Sequence, residues 1–258
     1  HDDESCPCGR VTRVVKRIEG RLNDVLRLPK HGEPEQAVTL FADALERIIA
    51  QHLPMHADYQ LTPSRDTGFS DFHLSLIPHR SWFRPLCSFQ LDGVQPFTPL
   101  ALGEAFALFE WGLNWCVAAH SHQYLVIHAA VIERGGRAAI LPGPPGAGKS
   151  TLCAGLVNRG WRLLSDELAL LDMDTKLLYG MCRPVNLKNV SIDIIKRFAP
   201  DVVMTIPVDD TSKGTIALMR PPAGSVGMVE HPARPAWVIV PHYSPGAPPV
   251  LDNHRQAE

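Results

Sequence analysis

The chain has 258 residues with 25 Lys and Arg against 27 Asp and Glu, a net charge of −2. That balance argues against a surface built wholly for nucleic acid or an anionic membrane. A hydrophobic content of 45% and a charged content of 20% exclude a disordered chain and leave room for one large domain or two small ones.

The first ten residues hold Cys6, Cys8 and His1, short of the four ligands of a structural zinc. Val11, Val14, Val15, Ile18, Leu22, Val25 and Leu26 recur at helical spacing. The opposite face, Arg10, Arg13, Lys16, Arg17, Arg21, Arg27 and Lys30, reads as a solvated face or as a dock for an acidic partner. A second helix is predicted after Pro34, with Val38, Phe41, Leu45, Ile48 and Ile49 inward. Asp71–Ile77 and Cys87–Leu91 alternate like strands, the second ending at the Asp92-Gly93 turn. Residues 1–96 are therefore expected to form a small mixed α/β lobe of unknown role, and residues 97–258 a second domain.

Leu100–His120 reads as one long helix, apolar on most sides and so buried between layers. It carries Glu104 and Glu110, and no stretch of the chain reaches 18 apolar residues, which argues against a membrane span. Cys87, Cys116, Cys153 and Cys182 sit singly in apolar surroundings. This is the usage of reduced core thiols, and the expected location is the cytoplasm.

Tyr124–Glu133 is predicted as a strand, Arg134-Gly135-Gly136 as a turn and Arg137–Leu141 as the returning strand. Next comes Gly143-Pro144-Pro145-Gly146-Ala147-Gly148-Lys149-Ser150-Thr151, which fits the phosphate-loop pattern G-x-x-x-x-G-K-[ST]. Glycines let backbone N–H groups turn inward around phosphate oxygens. Lys149 would reach the β- and γ-phosphates, Ser150 could hold Mg²⁺, and a helix over Lys149–Arg159 would point its positive end at the anion. Strand before and helix after are the context that distinguishes such a loop from a chance Gly/Pro turn.

Trp161–Ser165 and Leu168–Asp172 are predicted as extended, with Asp166 and Glu167 between them. Lys149 and Asp166 are 17 residues apart, one helix and one strand, so the two carboxylates should emerge beside the phosphates. There they could hold Mg²⁺ or take the proton of an attacking hydroxyl. His128, mid-strand, reads from its neighbours alone as a satisfied core histidine. Val190–Phe198 is predicted as a helix and Ala236–Val240 as the one strand of a loop-rich C-terminal part; Lys213, in Asp210-Thr-Ser-Lys-Gly-Thr215, could close over phosphates.

His128-Ala-Ala, the Gly-Gly hairpin, GPPGAGKST, Asn158-Arg-Gly-Trp161 and Leu164-Ser-Asp-Glu167 occur in an order and spacing that resembles the catalytic domain of HPr kinase/phosphorylase. They resemble more closely the HPr-kinase-related kinase A family. Glu110-Trp-Gly-Leu-Asn-Trp115, Arg183-Pro-Val-Asn-Leu-Lys188 and Lys213-Gly-Thr215 support the resemblance, which covers roughly residues 97–241. It implies an α/β P-loop core akin to phosphoenolpyruvate carboxykinase, ATP with Mg²⁺, and phosphate transfer to a serine hydroxyl of a protein or peptide. By position Lys149 and Ser150 match the nucleotide and metal ligands, Asp166 the catalytic aspartate, and His128 the histidine upstream of the loop. HPr kinase has two aspartates where this chain has Asp166-Glu167, and its E-x-R-G segment has only Arg183 as a rough counterpart.

The expected partner is thus a polypeptide acceptor, with neither nucleic acid nor membrane; homo-oligomer formation stays open. Two other readings remain at this level: a small-molecule or nucleotide kinase, and a non-catalytic ATP-binding regulatory module. A GTPase is disfavoured because no N-K-x-D segment is present.

Overall fold

The computed structural model describes residues 55, 58, 74–79, 85–211, 214–244, 246–248 and 250–252. The two helices expected before residue 50, and Lys213, lie outside the described residues. Strands β1 (Leu74–His79), β2 (Leu86–Leu91) and β3 (Leu100–Ala101) form a first antiparallel sheet. Leu74 pairs with Leu91 and Leu76 with Phe89, so the alternation seen in the sequence becomes one apolar face. β3 joins this sheet from beyond residue 97.

Helix α1 (Ala105–His120) is shorter than expected. Leu100 and Ala101 are extended, Leu102–Glu104 make a 3₁₀ turn, and Leu102 N–H donates to Pro85 O at 2.9 Å. Pairing with β2 outcompetes helix at these residues. Buried Ala105, Leu108, Phe109, Gly112, Leu113, Cys116 and Val117 form the stripe of α1. Leu74 and Phe89 pack on it from the first sheet, and Tyr124, Leu168 and Leu170 from the main one. α1 is thus buried between layers, as its composition requires.

The main sheet contains β4 (Tyr124–Arg134), β5 (Arg137–Pro142), β6 (Arg162–Ser165), β7 (Leu168–Asp172), β8 (Leu178–Tyr179) and β12 (Arg234–Val238). Its order is β12-β5-β4-β7-β8, with β6 also on β4; only the β12–β5 pair is parallel. Helix α2 (Lys149–Val157) follows β5. A third sheet, β10-β11-β9, is built from β9 (Val185–Lys188), β10 (Val208–Thr211) and β11 (Gly214–Met219). Helices α3 (Val190–Phe198) and α4 (Ala223–Gly227) complete the described elements.

Cys153, Ala154 and Val157 of α2 pack with Ala130, Ile132, Ala139 and Leu141 of the main sheet and with Leu187, Ala217 and Met219 of the third. The third sheet was not legible in the sequence. The four residues of β11 from Ile216 to Met219 are buried without alternation, and β9 is buried at three of its four positions. A short apolar run among prolines has no period to read. The architecture is mixed α/β, and among the described residues no helix is long and apolar enough to cross a membrane.

Gly112 sits where α1 crosses β2. A Cβ there would lie 2.2 Å from Cε2 of Phe89, itself 0% exposed. Gly112→Ala is expected to destabilise the fold by about 1–3 kcal/mol or more, because the ring has nowhere to move. Gly155→Ala, where a Cβ meets nothing within 4 Å, should stabilise by roughly 0.5–1 kcal/mol through helix propensity. Thermal melting of the two variants should shift in opposite directions; a harmless Gly112→Ala would show that α1 is not seated on β2.

Candidate active site

The loop between β5 and α2 turns through three glycines with positive φ, Gly143 at +156°, Gly146 at +83° and Gly148 at +95°, where L side chains are strained. At Gly143 a Cβ would lie 3.2 Å from that of Ala147, so the loop closes tightly on itself. Lys149 Nζ donates to Gly143 O at 2.6 Å and Pro144 O at 3.2 Å, which folds the cation back over the loop. No side chain caps the first turn of α2, leaving its orphan N–H groups for a ligand. Pro145, Ser150 and Thr151 complete the segment. Near its turn passes the C-terminal chain: Tyr243 Cβ is 3.7 Å from where a Cβ of Gly148 would be.

The carboxylates arrive through β4. One edge of β4 carries β5, from Ala129↔Pro142 to Arg134↔Arg137. The other edge carries β7 up to His128↔Leu168 and then β6 from Val131↔Ser165. β6 and β7 are therefore one extended run, interrupted at Asp166-Glu167, with a register shift between Val131 and Ile132. Ser165 Oγ accepts from Glu167 N–H at 3.3 Å and Leu168 N–H at 3.1 Å, which holds the interruption in shape. Ala129 pairs with Pro142 on one side and donates its N–H to Glu167 O at 3.2 Å on the other. Two strand spacings, about 10 Å, thus separate the start of the phosphate loop from the acidic pair.

Asp166 is buried, 6% exposed. Its Oδ2 accepts from Asn186 N–H at 2.9 Å, while Oδ1 has no hydrogen-bond partner. Burial, and then the neighbouring charge of Glu167, push its carboxyl up to about 7; the Asn186 N–H, the Ser150 hydroxyl and the Lys188 charge pull the other way without cancelling them. Ser150 and Asp166, far apart in the chain, are therefore brought together at the start of α2.

Glu167 is less buried than Asp166. Its Oε2 lies 3.7 Å from His128 Nδ1, with the His128 side chain 60% exposed. His128 is a surface histidine beside a carboxylate and not the core residue that its strand neighbours suggested. Lys149 and Ser150 of the loop, Asp166 and Glu167 of the interruption and His128 of β4 thus flank one end of the main sheet.

Arg183, only a rough counterpart of the E-x-R-G segment in the sequence, belongs to a buried polar group near Asp166. Arg183 pairs with the Glu110 carboxylate, donates to Glu110 O at 2.8 Å and to Asn114 Oδ1 at 2.8 Å. Both Arg183 and Glu110 are buried. The available signal was Glu110 itself: a carboxylate on the buried stripe of an apolar helix requires a cation. Asn186, which holds Asp166, had no sequence signal, because it acts through its backbone N–H.

Mg²⁺ favours one or two carboxylates with substrate phosphates and waters over an all-protein cage. Ser150 with Asp166 and Glu167 fits that habit, and the unmet Oδ1 of Asp166 is an acceptor of the right kind. Among the described residues no group of three or more His, Cys, Asp or Glu side chains forms a cage for a metal ion. The chain matches no protein-family model and none of the curated proteins.

A carboxyl raised from 3.8 to about 7 by burial binds its proton in the folded state where the unfolded chain has lost it. Stability should therefore fall as pH rises from about 4 to 7, and above 7 the buried charge costs on the order of a few kcal/mol. Asp166→Asn removes that cost and keeps an oxygen for Asn186 N–H. Its melting temperature should exceed that of the wild type at pH 8, by about 2–4 °C per kcal/mol relieved, and the gap should shrink by pH 5. A pH-independent gap would show that Asp166 is not a desolvated carboxylate.

Proposed function

We propose that the chain is an ATP-dependent kinase that transfers the γ-phosphate to a serine hydroxyl of a protein or peptide, on a P-loop core of the HPr-kinase type. The observation that carries the reading is the Asp166 carboxylate. It is buried beside Ser150 at the end of a phosphate loop, with one oxygen fixed by Asn186 and the other unmet.

The residues divide the work as follows. Backbone N–H groups of Gly143–Thr151 bind the phosphates of ATP. Lys149 exchanges its two loop carbonyls for β- and γ-phosphate oxygens. Ser150, Asp166 and Glu167 would hold Mg²⁺, which when bound neutralises phosphate charge. Asp166 Oδ1 takes the proton of the acceptor hydroxyl, whose oxygen bonds to the γ-phosphorus as the bond to the β–γ bridging oxygen breaks and ADP leaves. A carboxyl near 7 is suited to accept a proton at neutral pH. His128, next to Glu167, orients that carboxylate. An alcohol suits Asp166 better than a carboxylate acceptor, since two like charges in a buried site repel.

Lys149→Ala should abolish measurable Mg-ATP binding in calorimetry, since a charge-assisted contact of this kind contributes about 1.5–3 kcal/mol or more. Unchanged affinity in a folded variant would remove the phosphate-loop assignment. Asp166→Asn should keep nucleotide affinity within about an order of magnitude and lower transfer by about 10²–10⁴-fold. The acceptor is tested with Mg-[γ-labelled] ATP and lysate of the source cell: phosphoserine on a discrete polypeptide is expected. Label confined to small metabolites would replace this reading with a small-molecule kinase, and no label anywhere with a regulatory nucleotide-binding module.

A further inference from the structure

At the end of the main sheet away from the phosphate loop, three arginines stand side by side on neighbouring strands. Arg134 of β4 pairs with Arg137 of β5, and Arg137 with Arg234 of β12. Directly paired residues point to the same face of a sheet. Ala139 and Leu141, two and four residues after Arg137, pack with Cys153 of α2, so the row lies on the α2 face. All three arginines are exposed, and none has an ion pair among the described residues. The carboxylate next in the chain does not neutralise them. Glu133 is buried on the opposite face, where it accepts from Gly136 N–H and pairs with Arg162. Like charges directly opposite one another oppose strand pairing. A local rule broken at both junctions of the row points to a position kept for function. Beside the row, Trp237 of β12 stands edge-on to Trp161, with ring centroids 6.3 Å apart and planes at 72°. Trp161 is partly buried against the α2 core, while Trp237 is 44% exposed. β12 is the last strand on this side of the sheet, and all five of its residues are exposed. Its chain continues to Tyr243, beside Gly148 of the phosphate loop.

We infer that the row of Arg134, Arg137 and Arg234 is a docking site for an acidic stretch of a polypeptide partner. Guanidinium forks match carboxylates with two hydrogen bonds at a time. Two strand spacings, about 10 Å, separate the outer arginines, which suits two or three carboxylates of one segment. The exposed ring of Trp237 gives that segment an apolar shoulder next to the charges. Nucleic acid is the weaker fit, because phosphate contacts need a longer run of cations and the chain as a whole carries −2. The dock stands independently of the kinase reading. Joined to it, the dock gives a polypeptide acceptor a second hold about 17 Å from the phosphate loop, the length of β5 from Arg137 to Pro142. The exposed edge of β12 runs between the two.

The test uses the full chain without nucleotide and a fluorescein-labelled hexaglutamate peptide, read by fluorescence anisotropy at about 0.1 M salt, where the Debye length is about 10 Å. Hexalysine and a short oligothymidylate serve as rivals. Hexaglutamate should bind saturably and hexalysine should not. Arg134→Gln, Arg137→Gln and Arg234→Gln combined should weaken the peptide by about tenfold or more, as expected for the loss of several exposed ion pairs. The melting temperature of that variant should hold or rise, because a row of like charges is removed. Arg137→Gln alone, at the centre of the row, should weaken binding by about threefold, and it carries the test if the triple variant does not fold. Lys176→Gln, Lys196→Gln and Arg197→Gln combined remove the same charge from exposed sites elsewhere and should leave the affinity within about twofold. Equal losses in the two triple variants would reduce the effect to net charge and overturn the dock. Absence of saturable binding to the wild type would overturn it too, and tighter binding of the oligothymidylate would replace it with a nucleic-acid surface. No nucleotide enters these measurements, so their failure leaves the kinase reading standing, to be decided by Mg-ATP binding.

Discussion

The whole site hangs on a single strand whose two edges are both occupied. β4 carries β5 along one edge and the interrupted run of β6 and β7 along the other. The pairing of Ala129 with Pro142 along one edge and its N–H bond to Glu167 O along the other therefore fix where the Gly143–Thr151 loop starts and where the acidic pair emerges. Such a ladder is insensitive to side-chain identity, yet it sets the separation of the chemical groups to within a strand spacing. The flanking small residues Ala130 and Ala139 then let α2 lie close on the sheet, which presents Ser150 to Asp166.

The interruption between β6 and β7 has a chemical consequence. In an unbroken strand, Asp166 would have a ladder position and a side chain committed to one face. Where pairing lapses, irregular backbone can re-aim a side chain. Here Asp166 is buried against the Asn186 N–H, and Glu167, less buried, lies beside His128. Two adjacent carboxylates thereby acquire different environments: one desolvated and raised in pKa, one partly solvated beside an imidazole. The proposed division of proton transfer and metal binding between them rests on this separation of environments.

α1 has a second use beyond packing. Its apolar stripe joins two sheets, but Glu110 and Asn114 interrupt that stripe to hold Arg183. A buried ion pair is a weak source of stability. Its value here is positional: it fixes the strap of Arg183–Asn186 against which Asp166 rests. The N-terminal sheet, which seats α1 through Phe89 and Gly112, thus bears on the site without contributing a reacting group.

Local patterns determined much of this protein before any packing was known. The glycine spacing and Lys149 define the loop, β4, β5 and α3 are read from period and turn residues, and Asp166-Glu167 is marked as a polar break between two apolar runs. These are short-range constraints, written within a few residues of where they act. Tertiary structure alone decided the rest. The β9–β10–β11 sheet has buried strands with no alternation to betray them. Its Asn186 serves Asp166 through a backbone N–H that every non-proline residue possesses. His128 is exposed because β4 at that point faces the edge of the core, which strand periodicity cannot reveal. The raised carboxyl of Asp166 comes from desolvation by elements distant in the chain, and desolvation is a property of the assembled layers, not of the residue or its neighbours in sequence.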